Sequence, residues 1–555
     1  MCNWCISIAG FYRMLLVAGI LMLSLCSKII AQTVSETFQN PILPGFYPDP
    51  SICRVGDTYY MVNSSFEWYP GLPIHRSKDL VNWEKIGYGL HDPDQIAYRD
   101  GLDNSHGIFA PTIRYHEGTF YIITTMIGQG GNFIITSNNP SGPWSKPMWI
   151  KDAPGIDPSL FWDDDGRCYY TGTGAIDGTK GEWPGKSGIW MQEIDPDRGV
   201  LIGEKKQLTY GHASNARWAE GPHLYKIDGE YLLLIGEGGT GEFHAVTVFN
   251  SKELWGPYIS NHANPVMTHR HLGKTHPIGQ TGHADLVQTQ NGDWWSVMLA
   301  KRHVDGFVTL ARETFLAEVK MTNQETGITP VFNPGKGLLL TEQKRPNLPW
   351  TPVSEIPGRD EFDKQTLGLE WNFLRTPTYE WYSLEEGKIE IQLRPETVNE
   401  LVNPSFIGQR ARHHNYLAST KLSFQSRKRN EKAGLVIYRR HGNNYQLLKT
   451  SDKIVLIKSF QEGNKGDFEP QIVASVPFRG KEAVLGASVE GVKVQFLYGK
   501  NENDLKPIVQ PQDYSLISDE VAKRFNGVYV GMYATSEGIE SNNSAIFDWF
   551  EYEGK

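Results

Sequence analysis

One short pattern occurs five times between residues 48 and 295 of this 555-residue chain, and no other feature restricts its fold so tightly. The copies read PDPSICRVGDTYY from Pro48, FAPTIRYHEGTFY from Phe109, IDPSLFWDDDGRCYY from Ile156, AEGPHLYKIDGEYL from Ala219 and GHADLVQTQNGDWW from Gly282. Each is a strand-like run, a turn carrying one glycine, and an aromatic or apolar step. The turn glycines, Gly56, Gly118, Gly166, Gly229 and Gly292, are spaced 62, 48, 63 and 63 residues apart. A unit of this size cannot bury its own apolar face, so its repetition predicts a radial array: a five-bladed β-propeller with one four-stranded blade per copy.

The residue opening each copy, Asp49, Phe109, Asp157, Glu220 or His283, stands 10 to 12 positions before the first aromatic after the turn. The first strand of a propeller blade faces the central channel, so equivalent positions of different blades converge at one end of it. Three carboxylates, an aromatic ring and a histidine are thereby predicted to surround a single opening. Carboxylates crowded without compensating cations raise one another's pKa, which is how a proton donor and a proton acceptor arise from the same residue type. Inverting cleavage of a glycosidic bond needs such a pair, about 6.5 to 9.5 Å apart. The competing reading, that Asp49 and Asp157 only form turns ahead of Pro-Ser, does not explain three carboxylates at equivalent positions. His283 is compatible with a base, a metal ligand or a hydrogen-bonding core residue. Asp285, on the same face of that strand, reads as structural. GEGGTG at Gly236 to Gly241 lacks the Lys-Ser/Thr and helix of a phosphate loop.

Length and patterning predict an all-β chain of two domains. Residues 32–342 carry the repeats, and the Pro-rich stretch 343–358 reads as a linker. Residues 359–555, with runs such as KIEIQL, AGLVIYRR and GVYVGMYA, read as a C-terminal β-sandwich of jelly-roll, concanavalin-like type. A net charge of −9 and the lack of a Lys/Arg stripe argue against a nucleic-acid partner. Sixteen Trp and 25 Tyr suit strands and the stacking of sugar faces. Residues 1–31 read as a signal peptide: Arg13 precedes the apolar run Met14 to Cys26, too short to span a bilayer comfortably. Export to the periplasm or beyond is expected, without lipid anchoring, since Leu25 stands where a lipoprotein box needs a small residue.

With NPILPGFYPDPS from Asn40, SSFEWYPGLPIHRSKDLVNW from Ser64, GIDPSLFWDDDG, AEGPHLYK, GHADLV, LARETF and FDWFEY at Phe547, the chain resembles family-43 glycoside hydrolases. The resemblance is to the exo-acting β-xylosidase and α-L-arabinofuranosidase branch with a C-terminal sandwich. It implies an inverting enzyme that needs no cofactor and releases pentoses from arabinose- or xylose-containing oligosaccharides. By motif, Asp49 would be the general base, Glu220 the general acid, and Asp157 the residue that orients the acid and raises its pKa. Arg312 in LARETF would hydrogen-bond the sugar, Phe66 in SSFEW would wall the pocket, and Phe525 in RFNGVYVG would close it from the sandwich. His283 matches a channel histidine that in some relatives helps hold calcium, so a structural calcium is admitted. Phe109 stands where the xylosidases carry tryptophan, which tilts the expected preference toward arabinofuranose. The alternative carried forward is a non-catalytic carbohydrate-binding protein.

Overall fold

A computed structural model describes residues 35–178, 181–463, 465–523 and 525–555. The expected signal peptide and its cleavage site lie outside the described residues. Between Ser51 and Phe332 the chain forms five antiparallel sheets in sequence order, each a blade. The first runs Ser51–Val55, Thr58–Val62, Gly71–Ser77 and Glu84–Leu90, and the last Ile278–Gln288, Trp294–Arg302, Glu313–Gln324 and Gly327–Phe332. Every sequence copy is the hairpin joining a blade's two inner strands. The five turn glycines have φ of 62°, 92°, 79°, 84° and 88°, and a β-carbon on any of them would meet nothing within 4 Å. Backbone conformation, not space, therefore selects glycine there.

The blades are joined where their inner strands meet. Asp285 of the fifth blade accepts hydrogen bonds from Ser51 Oγ at 2.7 Å and the Ile52 amide at 3.0 Å in the first blade. It also accepts from Arg114 Nη1 at 2.9 Å in the second and from Tyr225 Oη at 2.5 Å in the fourth. Arg114 Nη2 lies 2.9 Å from His223 Nδ1, which is 3.2 Å from Ser159 Oγ of the third blade. Asp285 is fully buried. Burial opposes its ionisation, but the Arg114 guanidinium and the hydrogen bonds outweigh it and hold the carboxyl well below its ordinary value.

From residue 359 two further sheets face each other as a sandwich, one of nine strands and one of eight. The eight-stranded sheet ends in a strand from the propeller: Trp68–Tyr69 pairs antiparallel with Asn372–Leu374. Trp68 is fully buried and stacks on Tyr529 with ring centroids 3.4 Å apart. One apolar core runs from Leu72, Ile108 and Ile135 of the blades into Phe373, Ile407 and Leu435 of the sandwich. Buried arginines add to the join, Arg410 Nε donating to Phe46 O at 2.8 Å and Arg375 Nη2 to Leu102 O at 2.6 Å.

Replacing Asp285 with Ala would leave Arg114 without its buried counter-charge, and stability is expected to fall by about 3–5 kcal/mol, read from denaturant titration. Because the native carboxyl is depressed, the wild-type contribution is complete above roughly pH 4 and is lost as pH falls below it. The variant's stability should lack that acid-side slope.

Candidate active site

All five openers of the repeat, Asp49, Phe109, Asp157, Glu220 and His283, line one cavity of about 590 Å³. They stand just before, or on, the inner strand of their blade, and the backbone departs from regular strand geometry there. Asp49, Asp157 and His283 have φ of 51°, 52° and 49°, in the left-handed region, while Glu220 is followed by Gly221 at 58°. Strand register shifts between Glu220 and His223 and again around Gly282. Such irregularities re-aim a side chain that simple alternation would send elsewhere, and they cost about 1–3 kcal/mol per strained residue. Gly221 is also required for space: a β-carbon there would lie 2.9 Å from the His283 ring.

The three carboxylates are unequally compensated. Asp49 accepts from Arg312 Nη1 at 2.5 Å and from Ser64 Oγ at 2.6 Å. Glu220 has no comparable cation. Burial, then the charge of Asp49, push its pKa up to about 7, against the pull of Arg312. Asp157 is pushed well above the ordinary carboxylate range by burial, then by Glu220 and Asp49, with Arg312 and the Gly221 amide opposing. Asp49, Asp157 and Glu220 thus repel one another in one buried site, and Glu220 and Asp157 are both held above the ordinary carboxylate range. Burial lowers the pKa of His283, which favours a neutral imidazole.

The remaining sequence candidates gather at the same cavity. Phe66 packs against Phe109 with ring centroids 5.1 Å apart, and the Arg312 guanidinium lies 5.0 Å from the Phe66 ring. Phe525 reaches in from the sandwich, 48% exposed, with its ring 6.3 Å from Phe66 and 5.5 Å from the Arg312 guanidinium. The propeller holds the chain there. Ser105 Oγ accepts from the Phe525 amide at 2.9 Å, and the buried Glu67 carboxylate accepts from Asn526 Nδ2 at 2.9 Å. Beside it, the short helix Asp519–Ala522 presents Asp519 to Lys301 at 2.6 Å and to Arg439 at 2.5 Å.

Sequence reading did not anticipate the other lining residues, among them Trp218, Phe243, Lys301 and Asp519. Trp218 and Phe243 belong to loops and Asp519 to the sandwich, while Lys301 lies on the strand Trp294–Arg302 beyond the repeated pattern. Of these, Trp218 alone left a usable signal, an aromatic two residues before the Glu220 opener. Among the described residues no group of three or more His, Cys, Asp or Glu side chains is placed to hold a metal ion. Cys53 and Cys168 are buried free thiols away from this cavity.

Residues 38–326 match the profile of glycosyl hydrolases family 43, and residues 359–553 that of the beta xylosidase C-terminal concanavalin A-like domain. A "Xylosidase/arabinosidase" of Butyrivibrio fibrisolvens is 42% identical over 93% of this chain and 99% of its own. A "Non-reducing end alpha-L-arabinofuranosidase" of Bacteroides ovatus is 37% identical over 93% of this chain and 95% of its own. The crystal structure of xylan beta-1,4-xylosidase from Bacillus halodurans superimposes with a TM-score of 0.85 at 34% identity, covering 93% of this chain and 100% of that one.

Gly221→Ala is expected to push the His283 ring from the cavity wall and to destabilise the fold by more than about 1 kcal/mol, since alanine is strained at this φ. Thermal denaturation checks the second effect, and a crystal structure of the variant checks the first.

Proposed function

The chain belongs to glycosyl hydrolases family 43, and from that premise we propose how its residues divide the work of removing one pentose at a time from hemicellulose oligosaccharides. The protein is an exo-acting, inverting glycosidase of the β-xylosidase and α-L-arabinofuranosidase kind. In our reading Asp49 is the general base. It takes a proton from a water that attacks the anomeric carbon on the face away from the leaving oxygen. Glu220 is the general acid and protonates that oxygen as the glycosidic bond breaks. Solvent then restores both groups, and no cofactor enters the balance.

The observation that carries this assignment is the unequal compensation of the carboxylates. Asp49 is ion-paired with Arg312, whereas Glu220 is uncompensated and raised to about 7, so near neutrality one carboxyl can accept a proton while the other still holds one. Asp157 acts as a positioning carboxyl. Its mutual repulsion with Glu220 makes the two titrate as a unit that keeps a proton to higher pH than either would alone. Arg312 fixes the base and lines the cavity, where its guanidinium can hydrogen-bond a sugar hydroxyl. Phe66 and Phe109 wall the terminal sugar and Phe525 caps it, so that a chain end enters but a polymer cannot thread through.

We assign both pentoses to this pocket with arabinofuranose preferred. The smaller Phe109 ring supports the preference, and relatives named for both activities support the breadth. The leader-like N-terminus supports export. A non-catalytic sugar-binding role is not favoured, because no member of the carboxylate set is missing.

Purified protein should hydrolyse 4-nitrophenyl α-L-arabinofuranoside and β-D-xyloside, and inactivity on both would remove the assignment. Proton NMR of the first-formed sugar should show the anomer opposite to the substrate's. Asp49→Ala and Glu220→Ala should each lower turnover by about 10²–10⁴-fold with thermal midpoints retained. Because Glu220 must be protonated to act, kcat/KM should fall as pH rises above about 7.

A further inference from the structure

Trp218 is out of place for a large apolar side chain. It is 41% exposed, its backbone φ is 50°, and its ring lines the cavity mouth. The surrounding structure maintains this position. The Trp218 amide donates to Gly185 O at 2.7 Å, the Gly238 amide donates to Arg217 O at 2.8 Å, and Trp183 Nε1 donates to Ala216 O at 2.7 Å. The ring lies close over the Gly-rich loop that the sequence left without a role. A β-carbon on Gly239 would come within 3.0 Å of it, and one on Gly185 within 3.2 Å. The Arg217 guanidinium lies 4.1 Å from the ring centroid. Phe243, 65% exposed, stands at the same mouth.

An aromatic ring held in place by glycines and a cation at the mouth of the cavity offers an exposed face on which a sugar can stack. Its position says what it binds. Glu220 must reach the glycosidic oxygen, so the sugar on the far side of that oxygen leaves from beside the acid. Trp218 is two residues from Glu220, at most about 7 Å along the chain. That is close enough for a ring bonded to the oxygen to meet the indole face. We propose that Trp218 is the stacking platform for the leaving sugar, and that the glycines at 238, 239 and 241 keep side chains out of that sugar's path. This rests on the glycosidase reading above and adds to it the recognition of the residue that departs.

The test compares kcat/KM on a pentosyl disaccharide with kcat/KM on the methyl glycoside of the same pentose, which has no leaving sugar to stack. In Trp218→Ala the ratio of the two should fall about tenfold, the size expected of one stacked ring, and in Trp218→Phe most of it should return. An unchanged ratio would overturn the proposal, whether both rates fall together, as they would if Trp218 only positioned Glu220, or neither falls. Wild-type protein inactive on both substrates would instead bring down the glycosidase reading, and this inference with it.

Discussion

The arrangement depends on one buried carboxylate, Asp285, through which the inner strands are tied together. Its partners, direct or through Arg114 and His223, are Ser51, Arg114, Ser159, His223 and Tyr225, so all five blades are fixed relative to one another. The cavity residues stand two or three positions earlier on several of the same segments. Asp49 precedes Ser51, Asp157 precedes Ser159, Glu220 precedes His223, and His283 precedes Asp285 itself. Hub and site are therefore two levels of one repeat, and the lower level sets the spacing of the upper. Their electrostatics differ. The lower carboxylate meets a guanidinium and three other donors, while three carboxylates on the upper level share a single arginine. That shortage of cations, with burial, lifts Glu220 and Asp157.

The sandwich completes the site. Phe525 stands at the cavity where Ser105 and Glu67 of the propeller hold residues 525 and 526, and Asp519 is ion-paired with Lys301 of the fifth blade. Each contact joins residues hundreds of positions apart. The aromatic wall is likewise composite: Phe66 touches Phe46 and Phe109 of the propeller as well as Phe525, with centroids between 5.1 and 6.3 Å apart. The cavity is thus lined by rings from both halves of the molecule.

What the sequence revealed follows from what repetition can encode. The five openers were legible because the same hairpin occurs five times, and symmetry alone brings equivalent positions together. Phe525 was reached only through resemblance to known proteins, since nothing in the local sequence says that a sandwich turn enters a propeller. Trp218 and Lys301 have no repeat to mark them, and Asp285 read as structural without any sign of its partners. GEGGTG could be excluded as a phosphate loop, but its use, clearing space beside an indole ring, depends on the fold of a different blade segment. The acid's environment was foreseen in part. A neighbouring negative charge was expected, and the fold adds the burial that acts on Glu220 more strongly than any neighbouring charge.

The two-residue strand Trp68–Tyr69 has a consequence for descent. It hydrogen-bonds into the sheet of the second half, and its indole is stacked on Tyr529. A recombination event that grafted a foreign module after the propeller would strand that indole and open the sheet edge it completes. The two halves therefore share a sheet as well as a cavity, and neither can be exchanged without rebuilding that edge.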